Sequence, residues 1–133
     1  MREQHRMTSQ YRAAAEFRAE LRRFLRCSED VARRAQITPN QYLLLLQIAG
    51  SDDGTRTVTQ LVQQLQLTQS AVTELVQRAE QAGLLQRSAS TTDGRVINLS
   101  LTELGAQRLG VVHAALGPER AHLRRIVGGL EDA

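Results

Sequence analysis

Residues 57–83 read TVTQLVQQLQLTQSAVTELVQRAEQAG, and this stretch decides the fold. Its first residues, Thr57 to Gln60, have the pattern of a capping box, which predicts the start of a short helix. Thr68 has the pattern of an N-cap for a second helix, and Gly83 stands where a left-handed C-terminal cap belongs. The apolar residues of this second helix recur at helical spacing: Val72, Leu75, Val76 and Ala79. Because only Gln66-Leu67 separates the two helices, the stretch predicts a helix-turn-helix.

The hydrophobic period changes after Gly83. Leu84 to Ser88 has the composition of a strand, and Val96 to Leu101 predicts a second strand. The second strand alternates its apolar residues with polar ones: Ile97, Leu99 and Leu101. A turn-rich tip, Ser90 to Gly94, lies between the strands. A helix-turn-helix followed at once by a hairpin is the layout of a winged helix, so we expect a mainly α fold with a small β-hairpin wing and no parallel sheet.

Amphipathic helices flank this segment on both sides. Residues 11–25 carry apolar residues at steps of three and four, and Thr38 to Gln41 has a second capping box, with Pro in the first turn. Two further helical stretches follow, from Thr102 to about Leu116 and after Gly117-Pro118. These apolar faces exceed what one small winged helix covers, which predicts a homodimer interface. Its expected residues are Phe17, Leu21, Leu123, Ile126 and Val127.

Composition limits the function classes. A chain of 133 residues is long enough for one domain with one core. All 17 basic residues are Arg, and nine of them lie in residues 1–36 beside five acidic residues, so the basic character supports nucleic-acid binding only weakly. Cys27 is the single cysteine, which excludes an intramolecular disulfide and a thiolate metal cluster and fits a reducing cytoplasm. The longest apolar run, Tyr42 to Leu46, is too short to span a bilayer, so we expect a soluble cytoplasmic protein.

Neither an enzyme nor a metal site is expected. The sequence has no Gly-rich phosphate loop, no nucleophile elbow and no metal-binding helix motif. The three histidines, His5, His113 and His122, show no metal-ligand spacing. We expect no cofactor.

Across residues 11–130 the sequence resembles the MarR family of bacterial winged-helix transcription regulators. The most specific segment is Asp93-Gly94-Arg95 followed by Leu101-Thr102 and Gly105, which is similar to that family's wing and the start of its fifth helix. Ile37 to Tyr42 resembles the entry into its second helix, and Leu61 to Leu85 resembles its helix-turn-helix and following strand.

The resemblance implies a homodimer that binds duplex DNA, with a recognition helix in each major groove and a wing Arg in the minor groove beside an Asp that orients it. We expect a single domain, 1–133, built from dimerisation helices at 8–36 and 102–131 and a DNA-binding core at 37–101. Within the core, the helix-turn-helix occupies 57–83 and the wing 84–101. The resemblance also implies release from DNA by a small aromatic or phenolic effector, and we expect the ligand pocket near Tyr11, Phe17 and Tyr42.

The helical wheel selects the candidate base readers, which point away from the apolar stripe or lie on its flank. With the N-cap and the expected backbone contacts, the candidate DNA-binding residues are Thr68, Gln69, Ser70, Thr73, Glu74, Gln77, Arg78, Arg87, Asp93 and Arg95. Gln pairs with adenine and Glu accepts from cytosine, so a face without Arg can still read bases.

Several residues have two open interpretations. Arg78 and Arg87 are expected to contact phosphates, but Arg78 is also spaced to pair with Glu74. Arg95 is expected in a minor groove, where a narrow groove concentrates negative potential, and Asp93 is expected to position it. Cys27 is either a small packing residue or a redox switch near Arg23 and Arg26.

The function predicted from these observations is a ligand-responsive repressor that binds a pseudo-palindromic operator as a homodimer. The alternative is a winged-helix module that binds another protein, with weak or no DNA binding. Glu74, an acidic residue on the face of the helix expected to read bases, keeps this alternative open. Salt dependence distinguishes the two, because DNA binding releases counterions.

Overall fold

The fold is mainly helical with one small antiparallel hairpin, as the sequence predicts. The computed structural model describes residues 1–90 and 92–131. Its elements are α1 (Arg2–Arg34), α2 (Pro39–Ala49), α3 (Val58–Leu65), α4 (Gln69–Gln81), β1 (Leu85–Ala89), β2 (Ile97–Leu101), α5 (Glu103–Ala115) and α6 (Gly117–Glu131). Thr91, in the predicted tip, lies outside the described residues.

The described residues form two compact units. We call residues 32–111 the winged-helix unit, and we call residues 1–31 together with the described residues from 112 onward the terminal unit. In the winged-helix unit, the fully buried apolar residues come from the end of α1, from α2, α3 and α4, from the turn after α4 and from β2: Ala32, Leu44, Leu45, Ile48, Leu61, Val72, Val76, Ala79, Leu84 and Leu99. In the terminal unit, Val112 and Leu116 are fully buried.

Three predicted N-caps are confirmed. The Thr38 and Thr57 hydroxyls accept the N–H groups of Gln41 and Gln60, whose side chains bond back to the Thr N–H groups, so both capping boxes are complete. Thr68 accepts from the Ala71 N–H at 3.1 Å and starts α4. These caps could be predicted from the sequence because each one involves only residues within one turn of the same helix.

The end of α4 has the predicted left-handed Gly. Gly83 has a φ of +78°, which places its N–H on the Glu80 carbonyl and the Leu84 N–H on the Ala79 carbonyl. This pair of bonds is the Schellman arrangement, and it turns the chain directly into β1. The turn between α3 and α4 has the same backbone conformation at Gln66, with a φ of +56°, which the sequence did not indicate.

Several element bounds differ from prediction by a few residues, and α1 is longer at both ends than the predicted 11–25, running from Arg2 to Arg34. Helix α1 starts at Arg2, because six of residues 2–10 are Arg, Glu, Gln or Met, which favour helix although the segment carries no apolar stripe. Strand β1 begins at Leu85, since the Leu84 N–H is used at the end of α4. Strand β2 begins at Ile97, since Val96 closes the tip by bonding Asp93 and Ser90.

The hairpin pairs β1 with β2 in antiparallel register, from Leu85 opposite Leu101 to Ala89 opposite Ile97. Leu99 is fully buried, whereas Ile97 is 39% exposed. Arg56, in the loop before α3, adds a short bridge to Leu99, with N···O distances of 3.0 and 2.8 Å. The base of the hairpin is therefore built into the core while its outer end projects beyond the core.

Candidate nucleic-acid interface

Helix α4 presents one polar face to solvent. Val72, Val76 and Ala79 on its inner face are fully buried. The exposed residues of the opposite face are Gln69, Ser70, Glu74, Gln77 and Gln81, and Thr73 on the flank is half-buried. The structure thus brings the predicted base readers together on one exposed surface of a helix that is held by its buried face.

The hairpin tip holds Asp93 and Arg95 beside each other. The Asp93 Oδ1 atom accepts the Arg95 backbone N–H at 3.0 Å and lies 3.6 Å from the Arg95 Nε atom. The Arg95 side chain is 95% exposed, so its guanidinium is free to contact an anion. Asp93 therefore orders the backbone that carries Arg95, as expected for a residue that positions it.

The two Arg residues expected on phosphates both contact carboxylates. Arg78 lies 2.6 Å from Glu74 one helical turn away, which is the pairing that the spacing left open. Arg87 in β1 lies 2.7 Å from Glu80 in α4. The Glu74–Arg78 pair is largely exposed, with side chains 62% and 70% accessible, so it is weak and can open to a phosphate. The Glu80–Arg87 pair is more enclosed.

The predicted pocket residues fall in different units. Tyr11 and Phe17 belong to the terminal unit, where Tyr11 is exposed and Phe17 is half-buried. Tyr42 belongs to the winged-helix unit and is buried. Cys27, within α1, is half-buried.

The predicted dimer residues all lie in the terminal unit. Four of them, Phe17, Leu21, Leu123 and Ile126, are half-buried, and Val127 is 42% exposed. Among residues 1–90 and 92–131, no helix combines the length and the hydrophobicity that a membrane span requires.

A comparison with known protein families matches a segment that lies within the winged-helix unit. Residues 35–96, which include the helix-turn-helix and most of the hairpin, match the sequence model described as MarR family. Through this segment, which is just under half of the chain, the protein is similar to the MarR family.

Two curated relatives match the chain over about half of its residues. The HTH-type transcriptional repressor MdtR of Bacillus subtilis (strain 168) is 36% identical over 69 residues, which cover 52% of this chain and 43% of that protein. The Organic hydroperoxide resistance transcriptional regulator of the same bacterium is 40% identical over 73 residues, which cover 55% of this chain and 48% of that protein. The chain therefore spans about half the length of each of these relatives.

The structural similarity to known proteins covers more of the chain than the sequence matches do. A crystal structure of a mutant MarR from E. coli complexed with operator DNA superposes with a TM-score of 0.70, covering 89% of this chain and 87% of that chain at 21% identity. At this identity the likeness shows a shared fold, a MarR-type winged helix, which agrees with the predicted fold class.

Glu80 and the packing role of Gly105 were missed in the sequence. Glu80 was not selected, since its partner Arg87 lies seven positions away in another element, a separation with no local signal. Gly105 was noted only as part of the family motif. A Cβ at this position would collide with the Leu84 carbonyl oxygen, so the motif marks the place where α5 passes the end of α4.

Proposed function

We propose that this chain is a DNA-binding transcription regulator that acts as a homodimer and represses transcription from a pseudo-palindromic operator. One observation carries the proposal: the exposed polar face of α4 is followed directly by a hairpin whose tip presents the accessible Arg95. A helix of this kind fits the major groove, and an Arg on a wing fits the adjacent minor groove.

The relatives support this proposal by what they are named. One is a transcriptional repressor, one is a transcriptional regulator, and the structural neighbour holds operator DNA. The second relative is named for organic hydroperoxide resistance, which supports a response to a small organic effector. The apolar surface of the terminal unit, which includes the exposed Leu25 and Val127, supports a second copy of the chain as its partner.

Salt-dependent DNA binding tests the proposal. DNA fragments would be selected from a random pool by the purified protein, and the affinity for the selected sequence measured between about 50 and 200 mM salt. We expect affinity to fall steeply with salt, and half-sites about ten base pairs apart or at a multiple of that spacing.

Replacing Arg95 by Ala gives the sharpest single test. The exposed tip contributes little to the core, so we expect a change in stability of no more than about 0.5 kcal/mol. If Arg95 neutralises one phosphate, the slope of log affinity against log salt concentration becomes shallower by about one unit in the variant. If Arg95 instead reads the minor groove, the variant shows a smaller difference in affinity between operator and random DNA. Arg6→Ala, which removes the same charge from the exposed first turns of α1, is the matched control and should bind like the parent.

A second candidate function is protein binding by the same surface. It is favoured by the exposed apolar side chains of Leu67, Val96 and Ile97 and by the pairing of Arg78 and Arg87 with carboxylates. DNA affinity that does not change with salt, together with an Arg95→Ala variant that binds DNA as the parent does, would make this candidate the better one.

A further inference from the structure

The Glu80–Arg87 ion pair joins the candidate recognition helix to the wing. The Arg87 Nε atom donates to the Glu80 Oε1 atom at 2.7 Å, and its Nη2 atom lies 2.7 Å from the same oxygen. The Glu80 and Arg87 side chains are 28% and 42% exposed, against 62% and 70% for Glu74 and Arg78. This pair connects two elements, whereas the Glu74–Arg78 pair lies within a single helix.

Among the described residues, backbone hydrogen bonds also hold the base of the hairpin at the turn that follows α4. There, the Leu84 N–H bonds the Ala79 carbonyl at 2.9 Å, and the Thr102 N–H bonds the Leu84 carbonyl at 3.0 Å. Arg87 lies two residues beyond the start of β1, about 7 Å along the strand, and the tip lies about 13 Å further. A tilt about the base therefore moves the tip roughly three times as far as it moves Arg87.

We propose that Glu80 and Arg87 are positioning residues that fix the wing tip relative to α4, and that Arg87 acts through Glu80 and not as a phosphate contact. This inference rests on the proposed function, since it concerns the fit of wing and helix to one duplex. A helix and a wing that bind neighbouring grooves must keep a fixed separation. A tip that tilts in the free protein loses conformational entropy when it binds, which lowers the affinity for DNA.

The sign of one substitution separates positioning from plain electrostatics. Glu80 carries a negative charge, so removing that charge from a DNA-facing unit should strengthen DNA binding if charge alone matters. Positioning predicts the opposite for Glu80→Gln, which keeps the shape of the side chain and removes the ion pair. We expect operator binding about threefold to fivefold weaker, the range that a partly exposed ion pair can supply.

The experiment is a double-mutant cycle on operator affinity with Glu80→Gln, Arg87→Gln and the double variant. Positioning predicts that each single variant weakens binding and that the double variant binds no worse than either one. It also predicts that Arg87→Gln leaves the salt slope unchanged. Glu103→Gln, which removes an exposed carboxylate from the first turn of α5, is the matched control and should bind as the parent does or slightly tighter.

A measurement without DNA keeps the inference distinct from the proposed function. Spin labels at Gln81→Cys and Gly94→Cys, in a Cys27→Ser background and diluted with unlabelled chain, report the distance between α4 and the tip. We expect Glu80→Gln to broaden this distance distribution. If the parent binds no DNA at any salt concentration, the proposed function fails, and the label distances alone decide whether the pair positions the wing.

The inference is overturned by either of two results. One is a Glu80→Gln variant that binds operator as well as or better than the parent, with Arg87→Gln losing about one unit of salt slope, as a phosphate contact would. The other is an unchanged distance distribution in Glu80→Gln.

Discussion

Thr102 and Gly105 join the end of the hairpin to α5. The Thr102 hydroxyl donates to the Gly83 carbonyl at 2.5 Å and accepts the Gly105 N–H at 3.1 Å, so one side chain connects two elements. Gly105 is buried against the backbone of Leu84, with no room for a side chain. Packing therefore explains this part of the family motif.

Replacing Gly105 by Ala should destabilise the protein. Its methyl group would collide with backbone atoms of Leu84, which cannot move without shifting the Schellman turn, so we expect a loss of about 1–3 kcal/mol in the free energy of unfolding. Gly110→Ala is the matched control in the same helix, where a Cβ meets nothing within 4 Å. There we expect a gain of up to about 1 kcal/mol from helix propensity. Urea denaturation of both variants checks this, and an equally stable Gly105→Ala protein would contradict the packing account.

The sequence predicted the residues whose roles depend on their near neighbours in the chain, and it did not predict contacts between separate elements. Thr38, Thr57 and Thr68 could be placed because an N-cap depends on residues within one turn. The partner of Arg87 and the bridge between Arg56 and Leu99 could not, because such contacts depend on how separate elements pack. The candidate reading face was found in the sequence because exposure on α4 follows helical period.

Helices α1 and α6 are joined in the terminal unit by a polar cluster of Glu20, Arg23, Glu119 and His122. Arg23 lies 3.0 Å from Glu20 and 2.8 Å from Glu119, and the His122 Nε2 atom lies 3.2 Å from Glu20. The amphipathic pattern of α1 predicted a partner for its apolar residues but not this cluster, whose members lie about a hundred positions apart in the chain. The hydrogen bond from Arg23, followed by the charges of Arg23 and His122, lowers the pKa of Glu20.

This lowered pKa predicts an acid-dependent contact between α1 and α6. A carboxyl whose pKa is lower in the folded than in the unfolded chain stabilises the fold above the unfolded-state pKa, about 4.3, and this contribution is lost as pH falls through the folded-state pKa. We expect the urea midpoint of the parent to fall below about pH 4 more steeply than that of Glu20→Gln. Glu16→Gln, an exposed acid on the same helix, should follow the parent. Parallel curves for all three proteins would show that Glu20 does not stabilise this contact.

The division into two units matches the roles proposed for the two parts of the chain. The winged-helix unit has a core of its own, from Ala32 to Leu109, and carries every candidate DNA-binding residue. The terminal unit carries all the predicted dimer residues. Repression from a symmetric operator requires both, since a second recognition helix must be held at a fixed distance from the first.

Val127 allows the homodimer to be tested without damage to the protomer. The side chain of Val127 is 42% exposed, so replacing it by Asp should leave folding of the protomer nearly unchanged, whereas Leu123 and Ile126 are more enclosed. In an interface of ordinary size, about 800 Å² per partner, a charge from each copy would lose its water, so we expect the dimer dissociation constant to rise at least about tenfold. Val96→Asp, at a valine that is 37% exposed on the wing, is the matched control and should sediment as the parent does. A Val127→Asp protein that remains dimeric at micromolar concentration would place the interface elsewhere, and a parent that sediments as a monomer would exclude the dimer itself.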